Sequence, residues 1–143
     1  MLLEESFAAR GHAHIRATHE RTVEVTRETH LTTRGDCIAA VAAEKGLRDL
    51  DPRMREAARR PDAVISLSLR QGDRVFTTTG RGDPGLTWGH PTDMVARMSG
   101  YTCARTLMVR ADKATIHMPR SLVQLLKDPK AIVTVTVTVE VPD

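Results

Sequence analysis

Aromatic residues and cysteines are scarce in this sequence, and each scarcity excludes a class of protein. Aromatic residues make up 3% of the 143 positions, which leaves no stacking surface of the kind that single-strand nucleic-acid binders use. The two cysteines, Cys37 and Cys103, lack the close spacing of zinc or redox CxxC sites. We therefore expect two small buried thiols rather than a metal-binding pair, a nucleophile or a disulfide.

Long apolar runs and a strong charge bias are also missing. The longest uncharged apolar stretch alternates Val with Thr near the C-terminus and is too short to cross a bilayer as a helix. The first residues are acidic and contain no apolar segment typical of a secretory signal. The net charge of +3 is smaller than is typical of proteins that neutralise phosphate backbones. We expect a cytoplasmic protein that makes no contact with a membrane.

The sequence does contain clear strand patterns. Val133–Val141 alternates valine with polar residues and predicts a half-buried strand. Residues 65–79 predict a hairpin that turns at Gln71-Gly-Asp73, and Arg21–Thr26 predicts a further strand. Gly11–His19 is also predicted to be extended, and residues 1–10 to be a short lead-in. Two more strands are predicted over 37–43 and 101–110.

Proline positions indicate two short helices. Asp51 stands where an N-cap belongs, Pro52 suits the first helical position, and Pro61 ends the segment. The second helix is predicted over Pro119–Lys127, with Leu122, Leu125 and Leu126 on one face.

Two parts of the chain repeat each other at an offset of 68 residues. Cys37–Lys45 matches Arg105–Lys113, and Pro61–Leu69 matches Pro129–Val137 in its proline, alanine and alternating pattern. We predict a single α+β, β-rich domain over 1–143. It would arise by duplication of two ββαβ halves, at about 11–79 and 86–141, with pseudo-two-fold symmetry. The expected architecture is a barrel-like or sandwich-like sheet with two short helices.

Six short motifs occur in order between about Phe7 and Leu126. They are Gly11-His12, Ala17-Thr18-His19, Arg34–Ile38, His90–Val95, Arg105-Thr-Leu107 and Ala111–Ala114. Together they resemble the archaeal domain-of-unknown-function family 371. The resemblance implies an archaeal, cytosolic, single-domain protein and implies no biochemical role. His14 departs from the family, which commonly has Asn there, so the resemblance does not imply a His-x-His chelate.

The histidines offer a possible metal site. His12 and His14 would point to the same face of a strand, a spacing able to chelate a metal. His19, with His90 and Asp93, would complete a His/Asp site suited to zinc or another divalent ion. His19, however, lies at an odd separation from His14 and would face the other side of a regular strand. We therefore predict surface or hydrogen-bonded histidines and no metal site.

Two other clusters admit both a functional and a structural interpretation. Lys113 can bind an anion that Asp112 orients, or the pair can close a strand end at the surface. Cys37 follows a turn beside Arg34, but an activated thiolate would also need a base such as His19, and turn chemistry explains this segment more simply. An anion site built from Arg34, Arg97 and Arg105 needs no rare geometry.

Function is predicted at the level of a ligand class. We expect a polar site between the two halves that binds a small phosphate- or carboxylate-bearing ligand, and the sequence assigns no cofactor, reaction or oligomeric state. The alternative is an RNA-binding or assembly module that uses the helix arginines Arg53, Arg55, Arg59 and Arg60. The predicted ligand-binding residues are His19, Arg34, Asp36, His90, Asp93, Arg105, Asp112 and Lys113.

Overall fold

A computed structural model describes residues 1–31 and 35–143 of the chain. This part of the chain contains eight strands and two short α-helices, and its first and last elements are long strands. The elements are β1 (Leu2–Arg10), β2 (Thr22–Thr26), β3 (Ile38–Ala40), α1 (Pro52–Ala58), β4 (Val64–Gln71), β5 (Arg74–Arg81), β6 (Asp93–Arg97), β7 (Thr106–Met108), α2 (Arg120–Leu126) and β8 (Ile132–Glu140).

The strands form two four-stranded sheets. Sheet A has the order β1-β8-β4-β5 with all neighbours antiparallel, and sheet B has the order β3-β2-β6-β7. In sheet B the central pair β2–β6 is antiparallel, while β3 and β7 pair in parallel with the outer sides of β2 and β6. The predicted α+β, strand-rich class with two helices is therefore confirmed.

Neither sheet closes into a barrel. Each has two edge strands, β1 and β5 in sheet A and β3 and β7 in sheet B. Single backbone bridges connect Arg10 to Val41 and Arg81 to Val109, where the ends of β1 and β5 meet the residues after β3 and β7. Because these contacts are isolated bridges and do not continue as ladders, the barrel-like alternative is wrong.

Several predicted strand limits also differ from the structure. Residues 1–10 are not a lead-in, since Leu2–Arg10 pairs with β8 from Leu2↔Glu140 to Arg10↔Ile132. Gly11–His19 is not a strand, because it contains turns and Ala17 has a φ of 52°, which breaks an extended backbone. Strands β3 and β7 are shorter than predicted because Ala42 (φ 51°) and Arg110 (φ 55°) also have left-handed backbone conformations.

Both helices form where the prolines predicted them. Asp51 caps α1 by accepting a hydrogen bond from the Arg53 backbone N–H at 2.8 Å. Helix α2 begins at Arg120, with Pro119 as its N-cap residue rather than its first helical residue. Its buried face consists of Leu122, Val123 and Leu126, whereas the Leu125 side chain is exposed.

One hydrophobic core includes the inner faces of both sheets. Side chains alternate along a strand, so Val23 and Val25 of β2 and Met94 and Ala96 of β6 enter the core. The opposite face of sheet B then carries the polar residues of the same two strands. Cross-strand pairing matches Thr22 with Arg97, Glu24 with Val95, and Thr26 with Asp93 on this outer face.

Candidate functional site

A buried carboxylate lies at the centre of the outer face of sheet B. Glu24, in the middle of β2, is 6% exposed, although strand alternation predicts that it points away from the core. Its backbone N–H donates to the Cys37 carbonyl at 2.8 Å, which holds the start of β3 beside it. A charged side chain with so little exposure needs a partner, because desolvation of an isolated carboxylate is costly.

Arg105 provides that partner and a second ion pair at the same time. Its Nη2 donates to Glu24 Oε1, and its Nε lies 3.1 Å from Asp93 Oδ2. The Nε–H is buried and poorly aligned with that oxygen, so the contact with Asp93 is an ion pair without a hydrogen bond. One guanidinium therefore balances two carboxylates, and the Glu24–Arg105–Asp93 group carries a net negative charge when both carboxylates are ionised.

Burial changes the proton affinity of this group. Desolvation raises the pKa of Glu24 from its ordinary 4.5 to about 7, and the negative charge of Asp93 adds to this effect. Arg105 opposes the shift through its charge and hydrogen bond but does not cancel it. Glu24 therefore exchanges its proton near neutral pH, in the range where a carboxyl group can act as an acid, a base or a pH-dependent ligand.

Two hydroxyl groups fix Asp93 at the start of β6. The Thr26 hydroxyl donates to Asp93 Oδ1 at 2.7 Å across the β2–β6 pair, and the Thr92 hydroxyl donates to the same oxygen at 2.9 Å. This leaves Oδ2 directed to Arg105. Both strands of the central pair thus orient the carboxylates of the group.

A second arginine lies on the same face, at the other end of β6. Arg97 Nε donates to the Thr106 hydroxyl at 2.9 Å, and Arg97 Nη2 donates to Cys103 Sγ at 3.5 Å. The guanidinium carbon lies 5.0 Å from the centre of the Tyr101 ring, a cation–π distance. These contacts hold a planar cation in one orientation.

Two cavities meet at Glu24. The smaller, of about 170 Å³, lies at the Asp93 end of the face and is lined by acidic and apolar groups, among them Glu28 and Leu31. The larger, of about 410 Å³, lies at the Arg97 end, and we call it the arginine cleft. The residues that line the arginine cleft are His19, Arg21, Thr22, Glu24, Cys37, Val95, Arg97, Ser99 and Arg105.

The histidines act as caps for the strands. His19 Nδ1 accepts hydrogen bonds from the backbone N–H groups of Arg21 and Thr22, at 3.0 and 3.1 Å. His90 Nδ1 does the same for Thr92 and Asp93, at 3.2 and 3.0 Å. Because Nδ1 accepts a hydrogen bond in both cases, the neutral rings carry their proton on Nε2. His19 also lines the arginine cleft, while His90 positions Asp93 through its backbone.

Asp112 and Lys113 lie elsewhere, along the outer edge of β5 in sheet A. The Asp112 carboxylate accepts from the Thr79 backbone N–H at 2.9 Å, and the Asp112 N–H donates to the Thr79 carbonyl at 2.9 Å. Lys113 Nζ donates to the Thr77 carbonyl at 3.3 Å. On the opposite edge of the sheet, Glu44 makes the same pair of contacts with Ala8 of β1, at 2.7 and 2.9 Å. These charged turns bind the edge strands.

Two predicted residues remain, Asp36 and Arg34. Asp36 adjoins the arginine cleft, in a shallow cavity that shares His19 and Arg21 with it. Arg34 lies outside the described residues. Of the predicted set, the structure therefore brings His19, Asp93 and Arg105 to the outer face of sheet B, with Asp36 beside them.

The two half-buried, unpaired cysteines have opposite acid–base character. Burial, reinforced by the charge of Glu24, raises the pKa of the Cys37 thiol, which is the reverse of what an activated thiolate needs. Burial alone would also raise the pKa of Cys103. Hydrogen bonds from the Arg105 backbone, Thr106 and Arg97 outweigh it, so the pKa of Cys103 is lowered. The thiol with the greater nucleophilic character is therefore Cys103, which the sequence did not single out for this role.

Among residues 1–31 and 35–143, no group of three His, Cys, Asp or Glu side chains is arranged to hold a metal ion. Within the same residues, no helix has the length and apolar character required to cross a membrane.

Comparison with known proteins identifies the relatives of the chain. Residues 7–140 match a family described as a domain of unknown function, DUF371. An uncharacterised protein of the archaeon Methanocaldococcus jannaschii is 37% identical over 131 residues, which cover 92% of this chain and 96% of that protein. The resemblance that the sequence motifs predicted is confirmed, and the chain belongs to the DUF371 family.

Proposed function

We propose that the arginine cleft binds a small anionic ligand that carries a phosphate or carboxylate group. The observation that carries this proposal is that Arg21, Arg97 and Arg105 line one cleft of about 410 Å³. Among the described residues, only Arg105 of these three has a carboxylate within ion-pair distance. Two guanidinium groups therefore bring positive charge to the cleft that no described ion pair compensates.

The geometry of Arg97 favours an oxyanion over a general electrostatic attraction. A guanidinium offers several N–H donors in a rigid plane, which suits the oxygens of phosphate and carboxylate groups. The contacts of Arg97 with Thr106 and Tyr101 already restrict this plane, so the side chain loses less conformational freedom when a ligand binds. His19 lines the same cleft and offers a further polar contact.

The alternative, an RNA-binding or assembly surface on α1, has less support because two of its four arginines, Arg53 and Arg60, are neutralised by neighbouring carboxylates. Arg53 pairs with Asp51 at 2.8 Å, and Arg60 pairs with Asp62 at 2.9 Å. Arg55 Nη2 donates to the Arg48 carbonyl at 3.1 Å. A patch of this kind releases fewer counterions from a nucleic acid than four unpaired arginines would.

A thermal-shift panel of sulfate, phosphate, acetate and phosphorylated metabolites tests the anion site. An anion at about 100 times its dissociation constant stabilises the protein by about 2.7 kcal/mol, a shift of several degrees at this chain length. Arg97→Gln removes the charge without unpairing a carboxylate and should abolish the shift. Arg59→Gln, an exposed arginine at the end of α1, is the matched control and should respond as the native protein does.

Two results would overturn the proposal. One is the absence of a shift with every anion together with salt-dependent retention of RNA, which would favour the α1 surface. The other is equal anion binding by Arg97→Gln and the native protein, which would place the site outside the arginine cleft.

We also propose that the chain is one domain, 1–143, built by internal duplication. The strand orders support this proposal. If β1, β2, β3 and β4 are exchanged with β5, β6, β7 and β8, each sheet keeps the same strand order when it is read from its opposite edge. The left-handed residues Ala42 and Arg110 follow β3 and β7 at the same offset of 68 residues. The boundary between the halves would then fall between β4 and β5, which is earlier than the boundary between residues 79 and 86 that the sequence indicates. An experimental structure whose two halves do not superpose would refute the duplication.

A further inference from the structure

We propose that the arginine cleft takes up its anion together with one proton, and that Glu24 is the group that receives the proton. This inference rests on the proposed anion-binding function and adds a chemical condition to it. Glu24 lines both cavities, and its carboxylate is paired with the Arg105 guanidinium. An anion bound in the arginine cleft would interact with the same guanidinium.

A bound anion would compete with Glu24 and Asp93 for Arg105. Arg105 already serves Glu24 through Nη2 and Asp93 through Nε. An anion that binds in the arginine cleft would become a third negative group around the same guanidinium. Two hydroxyl donors, Thr26 and Thr92, stabilise Asp93 in its ionised form. Glu24 is therefore the carboxylate that we expect to become neutral when an anion binds.

A charge count of the cleft leads to the same residue. Among the described residues, the cleft lining contains three arginines and one carboxylate, Glu24. Asp93 lies behind Glu24, in the smaller cavity. A doubly charged anion added to both ionised carboxylates would exceed the positive charge of the lining. Protonation of Glu24 removes one negative charge and releases Nη2 of Arg105 from its strongest competitor.

Several other titratable groups surround Glu24. On one side of Glu24 lie residues of β6 and of the segment before β7, namely Asp93, Arg97, Cys103 and Arg105. On the other side lie residues of the segments before β2 and β3, namely His19, Arg21, Asp36 and Cys37. Two further groups, Glu28 and His30, line the smaller cavity. Glu24 differs from these neighbours because it is only 6% exposed and directly contacts an arginine of the cleft. Its pKa of about 7 is consistent with proton uptake near neutral pH.

The consequence for the ligand is specific. Binding becomes tighter as the pH falls through 7, even for an anion whose own charge does not change with pH. The cleft also favours an anion that presents a hydrogen-bond donor beside its charged oxygens, because that donor can satisfy Glu24 in place of a free proton.

Calorimetric titration with sulfate tests the inference, because sulfate keeps a constant charge between pH 6 and pH 8.5 while the protein does not. We expect sulfate to bind about tenfold more tightly at about pH 6 than at about pH 8.5. Titrations in buffers with different ionisation enthalpies should show uptake of about one proton per bound sulfate near pH 8. The buffer experiment uses the native protein, so it remains decisive even if a variant fails to fold.

Glu24→Gln provides the direct variant. A permanently neutral side chain should bind sulfate with the same affinity at both pH values and without proton uptake. Glu28→Gln, in the smaller cavity, is the matched control and should keep the pH dependence of the native protein. A His19→Asn variant tests whether the histidine of the cleft, and not Glu24, causes the pH dependence. We expect this variant to keep the pH dependence of the native protein.

The outcomes separate the two proposals. Failure of sulfate to bind at any pH would overturn the anion site itself. Binding with equal affinity at both pH values and without proton uptake would overturn the role of Glu24 alone. Loss of the pH dependence in His19→Asn, with its retention in Glu24→Gln, would assign the proton to the histidine instead.

Discussion

The two sides of sheet B share a backbone plan but differ in chemistry. On one side β3 runs parallel to β2, and on the other side β7 runs parallel to β6. Cys37 is the residue before β3 on the first side, while Arg105 is the residue before β7 on the second. A neutral thiol and a guanidinium thus reach the same central carboxylate from opposite directions, since both are coupled electrostatically to Glu24.

This difference shows how a site arises on a regular scaffold. Strand pairing places Glu24 beside the Cys37 position directly and beside the Arg105 position across Val95 of β6. Of the two residues, only Arg105 carries a charge that stabilises Glu24. Cys37 has the opposite relation, because the charge of Glu24 raises the pKa of its thiol. The chemistry of the cleft therefore depends on the asymmetry between two equivalent positions rather than on the fold alone.

Of the two residues, Arg105 and Cys37, replacement of Arg105 should change the stability of the protein most. Arg105→Met leaves Glu24 and Asp93 buried without their cation, so we expect the free energy of unfolding to fall by about 3–5 kcal/mol at pH 8. The loss should be smaller at pH 5, where Glu24 binds a proton. Urea denaturation at both pH values measures the difference.

The equivalent change on the other side provides the control. Cys37→Ala removes a small neutral group, and we expect a cost of about 1 kcal/mol that does not vary with pH. Equal costs for the two substitutions would mean that the ion pairs contribute little and that the two sides are energetically alike.

Glu24→Gln should change the pH dependence of stability. The pKa of Glu24 is raised from 4.5 to about 7 on folding, so the folded protein binds more protons than the unfolded chain in this range. The stabilisation from its protonated form is fully present below pH 4.5 and is lost as the pH rises to 7. The native protein should therefore lose on the order of 3 kcal/mol relative to Glu24→Gln across this window.

Denaturation curves of both proteins at intervals between pH 4.5 and pH 8 give this difference directly. Parallel stability profiles would show that Glu24 keeps an ordinary pKa in the folded protein. A difference that grows in favour of the native protein as the pH rises would mean that Arg105 lowers the pKa of Glu24 more than burial raises it.

The smallest expected effect is a difference in thiol reactivity. Cys103 has a lowered pKa and Cys37 a raised one, so more of Cys103 is present as thiolate at neutral pH. We expect iodoacetamide to modify Cys103 first, as measured by mass spectrometry of the tryptic peptides. Arg97→Gln removes the hydrogen bond to Sγ at 3.5 Å and should slow Cys103 without changing Cys37. Faster modification of Cys37 would reverse this assignment.

The sequence predicted the elements whose pattern is local. The alternation of valine predicted β8, the prolines predicted both helices, and the Gln71-Gly-Asp73 turn predicted the β4–β5 hairpin. Strand β1 escaped prediction because its first residues do not alternate clearly, and its partner β8 lies at the other end of the chain. The loop over residues 11–19 was mistaken for a strand because β-branched and histidine residues do not indicate the left-handed turn at Ala17.

The site was predictable only in part, for the same physical reason. His19, Asp93 and Arg105 are among the predicted ligand-binding residues, and the prediction of surface or hydrogen-bonded histidines agrees with the caps of β2 and β6. Glu24 was missed, because Val-Glu-Val in an alternating strand predicts a solvated glutamate. Its burial depends on β6 and on Arg105, some 80 positions along the chain, and no local pattern encodes that contact.

The charged turns on the edges of sheet A have a consequence for behaviour at high concentration. An edge strand with free backbone groups can pair with the same strand of another molecule and start aggregation. Glu44 already occupies the N–H and carbonyl of Ala8 on β1, and Asp112 occupies those of Thr79 on β5. One end of each edge strand of sheet A is thereby closed to intermolecular pairing, by two acidic residues that also repel the matching edge of a second copy.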